Sequence, residues 1–250
     1  AEQYNHPEYD SWVQDENDFM LLRLEDDVMT SGPVLELSND PTDIQPGAPL
    51  TIMGLGWTTA HSNNPADALM RVELNALSDA DCESSWGTGP QGVNIDNMFC
   101  AAVEGGGKDS CDGDDGGPMV KIEGNVHKQV GVISFGSPNC GNPYLPSVYS
   151  RIPNYGFEWI RSVVCDEWGE AASFCPNQQP DAQNQDQEHG WLMLFAGHDE
   201  VSSVYAASID ISWSPAFVFQ YSNTPGNSKL VDRGEYTYTV IIAEGVVEFS

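Results

Sequence analysis

Residues 109–118 read Asp-Ser-Cys-Asp-Gly-Asp-Asp-Gly-Gly-Pro. Asp115, just before the Gly116-Gly117 pair, is the residue whose chemistry matters most. A hydroxyl primed by a base attacks a carbonyl and leaves a covalent acyl intermediate. A carboxylate at that place is already anionic, has no proton to surrender and repels a developing oxyanion. As oxygen donors, Asp112, Asp114 and Asp115, together with the run Glu25-Asp26-Asp27, suit a hard cation. Neither run matches the twelve-residue calcium loop, and chance acidic runs are expected in a chain with 38 Asp plus Glu. No cofactor is expected, and calcium is the one ion these residues would suit.

The five histidines stand at 6, 61, 127, 189 and 198. Each is isolated in sequence, and a lone histidine reads as solvated or satisfied by neighbours. The six cysteines, at 82, 100, 111, 140, 165 and 175, form an even set without a Cys-x-x-Cys pair. That argues against zinc and for three disulfides in an oxidising compartment, hence a secreted or extracellular location.

These residues need a scaffold, and 250 residues suffice for one large all-β unit or two small domains. The net charge of −29 with nine Lys plus Arg excludes binding to nucleic acid through phosphates. It also disfavours anionic membrane surfaces. A solvated acidic surface is the plain reading; basic peptides, metal cations or a saline medium are compatible with it. No apolar run of spanning length occurs. No signal peptide is visible, and Ala1 opens into polar sequence as a processed chain would.

Short apolar stretches bounded by Gly, Pro, Asn and Asp run through residues 1–166: Phe19–Leu24, Leu50–Leu55, Gln129–Phe135 and Ser147–Ile152. This pattern predicts an all-β barrel or sandwich. Phe157, Ile160, Val163 and Val164 recur at helical spacing and predict a helix over 157–164. Residues 176–189 are a polar linker. Beyond it, Trp191–Ala196, Val201–Trp213, Ala216–Tyr221 and Tyr236–Phe249 read as strands of a small β unit.

Several spaced motifs resemble the trypsin-like serine protease family over roughly residues 5–165. Gly113-Asp114-Asp115-Gly116-Gly117-Pro118 resembles the family's Gly-Asp-Ser-Gly-Gly-Pro nucleophile loop, with Asp115 at the serine. His6-Pro7-Glu8-Tyr9 and Asn17-Asp18-Phe19-Met20-Leu21-Leu22 resemble the strand carrying the triad aspartate, here Asp18. Gly56-Trp57 resembles a Gly-Trp-Gly turn, with Thr58 at its last glycine. Asn97-Met98-Phe99-Cys100-Ala101, Ser134-Phe135-Gly136, Pro146-Ser147-Val148-Tyr149 and Phe157-Glu158-Trp159-Ile160 follow in the family's order.

The resemblance implies an all-β fold. Residues 1–38 would form the end of a first barrel, and 39–166 the second barrel with its C-terminal helix. A disulfide loop and linker (167–189) and a C-terminal β extension (190–250) would follow. It implies disulfides Cys82–Cys100 and Cys111–Cys140, leaving Cys165 with Cys175. Ile52 and Lys121 replace another family cystine.

The resemblance also implies an oxyanion hole at the Gly113 and Asp115 N–H groups. A remnant specificity pocket would have Asp109 at its base, Gly136 and Ser147 as walls, and Ser134 beside it. Asp114 would need a cation to neutralise it. No histidine of this chain lies in the family's catalytic context, so an inactive homologue is expected, acting as a binding or structural module in an extracellular assembly. Two alternatives stand beside this: a chain of an endopeptidase completed by a separate N-terminal chain, and a receptor for basic peptides through Asp109. The strand edge in residues 1–38 needs cover from another polypeptide, a neighbouring copy or the C-terminal β unit.

Overall fold

The computed structural model describes residues 2–9, 15–23, 35–62, 64–89, 92–170 and 172–176, and the backbone of five further strands between residues 192 and 249. The acidic run Glu25–Asp27, the linker beyond Pro176, His189 and His198 lie outside the described residues.

Strands β1 (Glu2–Asn5) and β2 (Met20–Arg23) form an antiparallel pair. A two-residue strand β3 (Glu36–Leu37) follows. Six longer strands come next: β4 (Pro49–Gly54), β5 (Met70–Ala76), β6 (Met98–Ala102), β7 (Pro118–Glu123), β8 (Val126–Phe135) and β9 (Ser147–Arg151). Their neighbours run β4-β5-β6-β9-β8-β7 and return to β4, so the sheet closes into an antiparallel barrel. Closure removes the exposed edges that an open sheet of this size would present. β3 lies outside the ring, parallel to β8.

Alternation along these strands sends Leu50, Ile52, Leu74, Phe99, Met119, Val130, Ile133 and Tyr149 into one core. Ile52, at a position of the replaced cystine, is buried there. Lys121, at the other, turns toward Asp43. That carboxylate is 4% exposed and accepts from Lys121 at 3.0 Å, Lys128 at 3.3 Å and Ser38 at 2.7 Å. Burial pushes the Asp43 carboxyl up, but these three donors outweigh it and hold it below its usual range.

Helix α1 (Asp79–Trp86) starts at Ser78, whose hydroxyl accepts from the Asp81 N–H. Helix α2 (Phe157–Arg161) continues into a wider turn over Ser162–Glu167, so the predicted helix runs three residues further than its apolar spacing implied. Its apolar side packs Ile160, Val163 and Val164 on Phe19, Leu21 and Val132. That second core joins the barrel to the β1–β2 pair. Disulfides link Cys82 to Cys100, Cys111 to Cys140 and Cys165 to Cys175.

The five later strands are β10 (Leu192–Ala196), β11 (Val204–Ser208), β12 (Phe217–Gln220), β13 (Tyr238–Ile242) and β14 (Gly245–Phe249). They form an antiparallel meander, and its first strand pairs with β2 in the register Leu192↔Leu22, Met193↔Leu21, Leu194↔Met20. Thus the edge of β2 away from β1 is met by the chain's own C-terminal strands.

Candidate functional site

The 109–118 loop is folded around Asp114. One carboxylate oxygen of Asp114 accepts from the Gly56 N–H at 2.8 Å, the other from the Cys111 N–H at 2.9 Å. Glycine is required opposite it: a Cβ on Gly54 would lie 1.9 Å from Asp114 Oδ1, and one on Gly56 2.6 Å from the same atom. The glycines of the Gly54-Leu55-Gly56-Trp57 turn therefore let the backbone itself solvate Asp114. Burial still pushes this carboxyl above its ordinary value.

Asp114 in turn sets the loop. Its N–H donates to Cys111, its carbonyl accepts from Gly117, and Gly116 N–H donates to Ile133 across the barrel. Gly113 adopts φ +90°, a conformation open to glycine. Neither the Gly113 nor the Asp115 N–H joins a backbone hydrogen bond among the described residues. The two donors thus keep the freedom that an oxyanion hole requires.

Asp115 is half-buried in this loop. Burial, with Asp114, Asp112 and Asp15 as like charges, pushes its carboxyl up to about 7. Asp18 is buried at 3% exposure and pushed up to about 8, chiefly by burial, with Asp15 and Asp115 adding repulsion. Against this, Ser134 Oγ donates to Asp18 Oδ2 at 2.7 Å, and Ser150 Oγ donates to the Asp18 carbonyl at 3.0 Å. β8 and β9 therefore fix the strand segment that carries Asp18.

Asp109 is partly buried and accepts from the Ser110 N–H at 2.9 Å and the Gly141 N–H at 3.3 Å. Burial raises its carboxyl, while the Ser110 and Gly141 N–H groups and the neighbouring Ser147 and Tyr149 hydroxyls pull the other way. Ser147 is 2% exposed, and its Oγ would stand 2.5 Å from a Cβ at Gly136. Gly136 keeps its side of the pocket open, but Ser147 fills the space beside it.

His6, in sequence a lone histidine that reads as solvated or satisfied by neighbours, is buried at 3% exposure. Phe19, Tyr155 and Trp159 enclose its ring, the last at 4.7 Å between centroids. The Glu8 N–H donates to His6 Nδ1. His61 meets Asn139 at the surface. Neither joins the loop at Asp115. Cys111, Asp112 and Cys140 are the one potential metal-ligand group among the described residues, but the two sulfurs are bonded to each other. Sequence reasoning missed the parts played by Ser110, Gly141, Ser150 and Gly54. Tyr149 was recognised only within its Pro-Ser-Val-Tyr motif, with no part in the pocket.

A closed six-stranded barrel with a glycine-rich loop, a serine-bonded buried aspartate and an acidic pocket defines a chymotrypsin-fold architecture. A sequence model of the trypsin family matches residues 1–160, and the chain belongs to that family. It is 34% identical over 164 residues to anionic trypsin of Canis lupus familiaris, covering 66% of this chain and 62% of that protein. It is 35% identical over 159 residues to anionic trypsin of Bos taurus, covering 64% and 60%. Identity to snake venom serine protease 1 of Craspedocephalus gramineus is 31% over 161 residues, covering 64% and 58%. The match thus spans about three fifths of the length of these relatives.

Proposed function

We propose that this chain is a non-catalytic trypsin-family module with a binding or structural role in an extracellular assembly. The carboxylate at Asp115 carries the reading. The loop around it keeps the backbone geometry that would serve a nucleophile, but the group it presents is a half-buried acid held near pH 7. Protonated, Asp115 is a poor nucleophile; ionised, it repels the negative charge that acyl transfer must build beside Gly113. Loss of a triad nucleophile typically costs on the order of 10⁶ in turnover. Three disulfides favour an oxidising compartment, and no helix among the described residues is long and apolar enough to cross a membrane.

A receptor role for arginine-bearing peptides would use Asp109. The Ser147 side chain against Gly136 counts against it, because it narrows the space that a long basic side chain must enter. The test uses the protein purified with any chain that accompanies it. It should neither react with an active-site fluorophosphonate probe nor cleave an arginyl ester. Labelling at Asp115, or inhibitor-sensitive ester cleavage, would refute the reading.

A further inference from the structure

The barrel closes between β5 and β6 through the pairs Asn75↔Ala102 and Ala76↔Ala101 alone. Beyond Ala102 the chain turns away, with the Gly106 N–H donating to the Val103 carbonyl. The start of β5, from Met70 to Leu74, therefore has β4 on one side and no strand on the other among the described residues. Period-two alternation tells which backbone groups face outward there. The Ala76 N–H donates to the Ala48 carbonyl and the Ala76 carbonyl accepts from Gly47, so Ala76 faces the β4 side. The register with β4 runs unbroken from Asn75 to Met70, so Leu74, Val72 and Met70 face β4 too. The N–H and C=O groups of Arg71 and Glu73 face the other way and find no backbone partner among the described residues.

The side chains at this edge complement themselves. Arg71 and Glu73 are both exposed and stand on the same face of the strand. Every other described lysine or arginine except Lys108 is held in an ion pair, whereas Arg71 and Glu73 join none among the described residues. An antiparallel pairing of two copies about a two-fold axis at Val72 sets Arg71 opposite Glu73 of the second copy, and Glu73 opposite its Arg71. Each such pair exchanges both backbone N–H···O bonds. Each also places opposite charges directly across the strands on one face. Met70, exposed at 55%, comes opposite Leu74 of the second copy.

We propose that the open edge of β5 is a dimerisation strand, which pairs with β5 of a second copy of this chain. A free edge is a template for another strand, and this one matches its own sequence run in reverse. An unrelated extended segment meets both charges only if it carries an acid and a base at the same spacing. The paired stretch is short, so the dimer is weak and reversible. Each copy carries a net charge of −29. The pairing therefore needs salt near about 0.15 M, where charges more than about 8 Å apart are screened. It lies on the barrel and does not involve Asp115, so its failure would leave the non-catalytic reading untouched.

Sedimentation equilibrium of the purified full chain from about 10 µM to about 1 mM, in about 0.15 M salt, tests it. A reversible monomer–dimer equilibrium is expected. Amide exchange at Arg71 and Glu73 should slow as the concentration rises, while other strand amides stay unchanged. Arg71→Glu and Glu73→Arg each set like charges across the two-fold axis and should weaken the dimer about tenfold. Mixed together, the two variants restore opposite charges and should form a heterodimer of wild-type strength. The double variant Arg71→Glu/Glu73→Arg should regain the homodimer. These rescues separate loss of pairing from misfolding. A monomer throughout, single variants that dimerise as well as the wild type, or no rescue on mixing would each overturn the proposal. So would slow exchange at Arg71 and Glu73 in the monomer, which would show another segment of the chain or a co-purified polypeptide seated on the edge.

Discussion

The Ser134 hydroxyl donates a 2.7 Å hydrogen bond to the Asp18 carboxylate across 116 residues of sequence. This bond favours the ionised acid, yet burial wins and Asp18 is pushed up to about 8. Asp115 adds to that repulsion, and its own carboxyl lies at about 7. The two acids are thus coupled, and the native state holds protons at neutral pH that the unfolded chain releases.

Stability should therefore fall as pH rises. Below about pH 4 both states hold these protons, and the acids contribute no pH dependence. From there to about 7–8 the unfolded chain has ionised and the native acids have not, so stability drops through that window and then levels. Asp115→Asn removes one titrating group and eases Asp18. Denaturant unfolding between pH 5 and 8 should show a shallower slope for this variant. At pH 8 it should be more stable than the wild type by on the order of 1 kcal/mol. Equal slopes would contradict the coupling.

His6 should act with the opposite sign. Burial lowers its pKa against the pull of Glu8, so the native state prefers the neutral ring. Its contribution is intact above the unfolded value of about 6.5 and is lost as pH falls through the lower native value. Protonating Nδ1 would also break the bond from the Glu8 N–H. His6→Phe keeps an aromatic ring against Trp159 and removes the titration. Unfolding series between pH 7 and 4.5 should show this variant losing less stability on acidification than the wild type.

The barrel was legible because its strands are short apolar runs cut by turn residues, as at 50–55, 129–135 and 147–152. The nucleophile loop was legible because its residues are contiguous. What escaped depends on contacts between distant residues. Nothing near Tyr149 in sequence shows that it would be fully buried with its hydroxyl near Asp109. Nor does the isolation of His6 in sequence show that Phe19, Tyr155 and Trp159, two of them distant in the chain, cover its ring. The pairing of β2 with β10 is made by backbone groups, which every residue carries, so no side-chain signature marks it.

Asp43 should be the most sensitive ionic position in the barrel. Two of the chain's nine cations converge on it, with Ser38, at a nearly buried site. Asp43→Asn leaves Lys121 and Lys128 facing a neutral group, and should cost about 2–3 kcal/mol at pH 7. The loss should shrink as pH falls from about 4 through the native pKa, which lies below the ordinary value, because the wild-type acid takes up its proton only there. Matched unfolding curves at pH 7 and 3 measure both.

Removing the C-terminal strands should convert a covered edge into a reactive one. Met20, Leu21 and Leu22 of β2 are 2–3% exposed, and their backbone pairs with Leu192–Leu194 of β10 on the side away from β1. A chain ended after Pro176 keeps the Cys165–Cys175 loop but leaves those N–H and C=O groups unpaired. Unpaired apolar edges recruit other strands. Light scattering after size exclusion should show the shortened protein self-associating at concentrations where the full chain does not. Met193→Pro in the full chain removes one pairing N–H and should move it the same way to a smaller degree. Adding a charge on the exposed edge, with Leu22→Lys in the shortened protein, should restore a smaller species if it still folds. A shortened protein that stays monomeric, with unchanged exchange protection at residues 20–22, would show that β10 does not guard this edge.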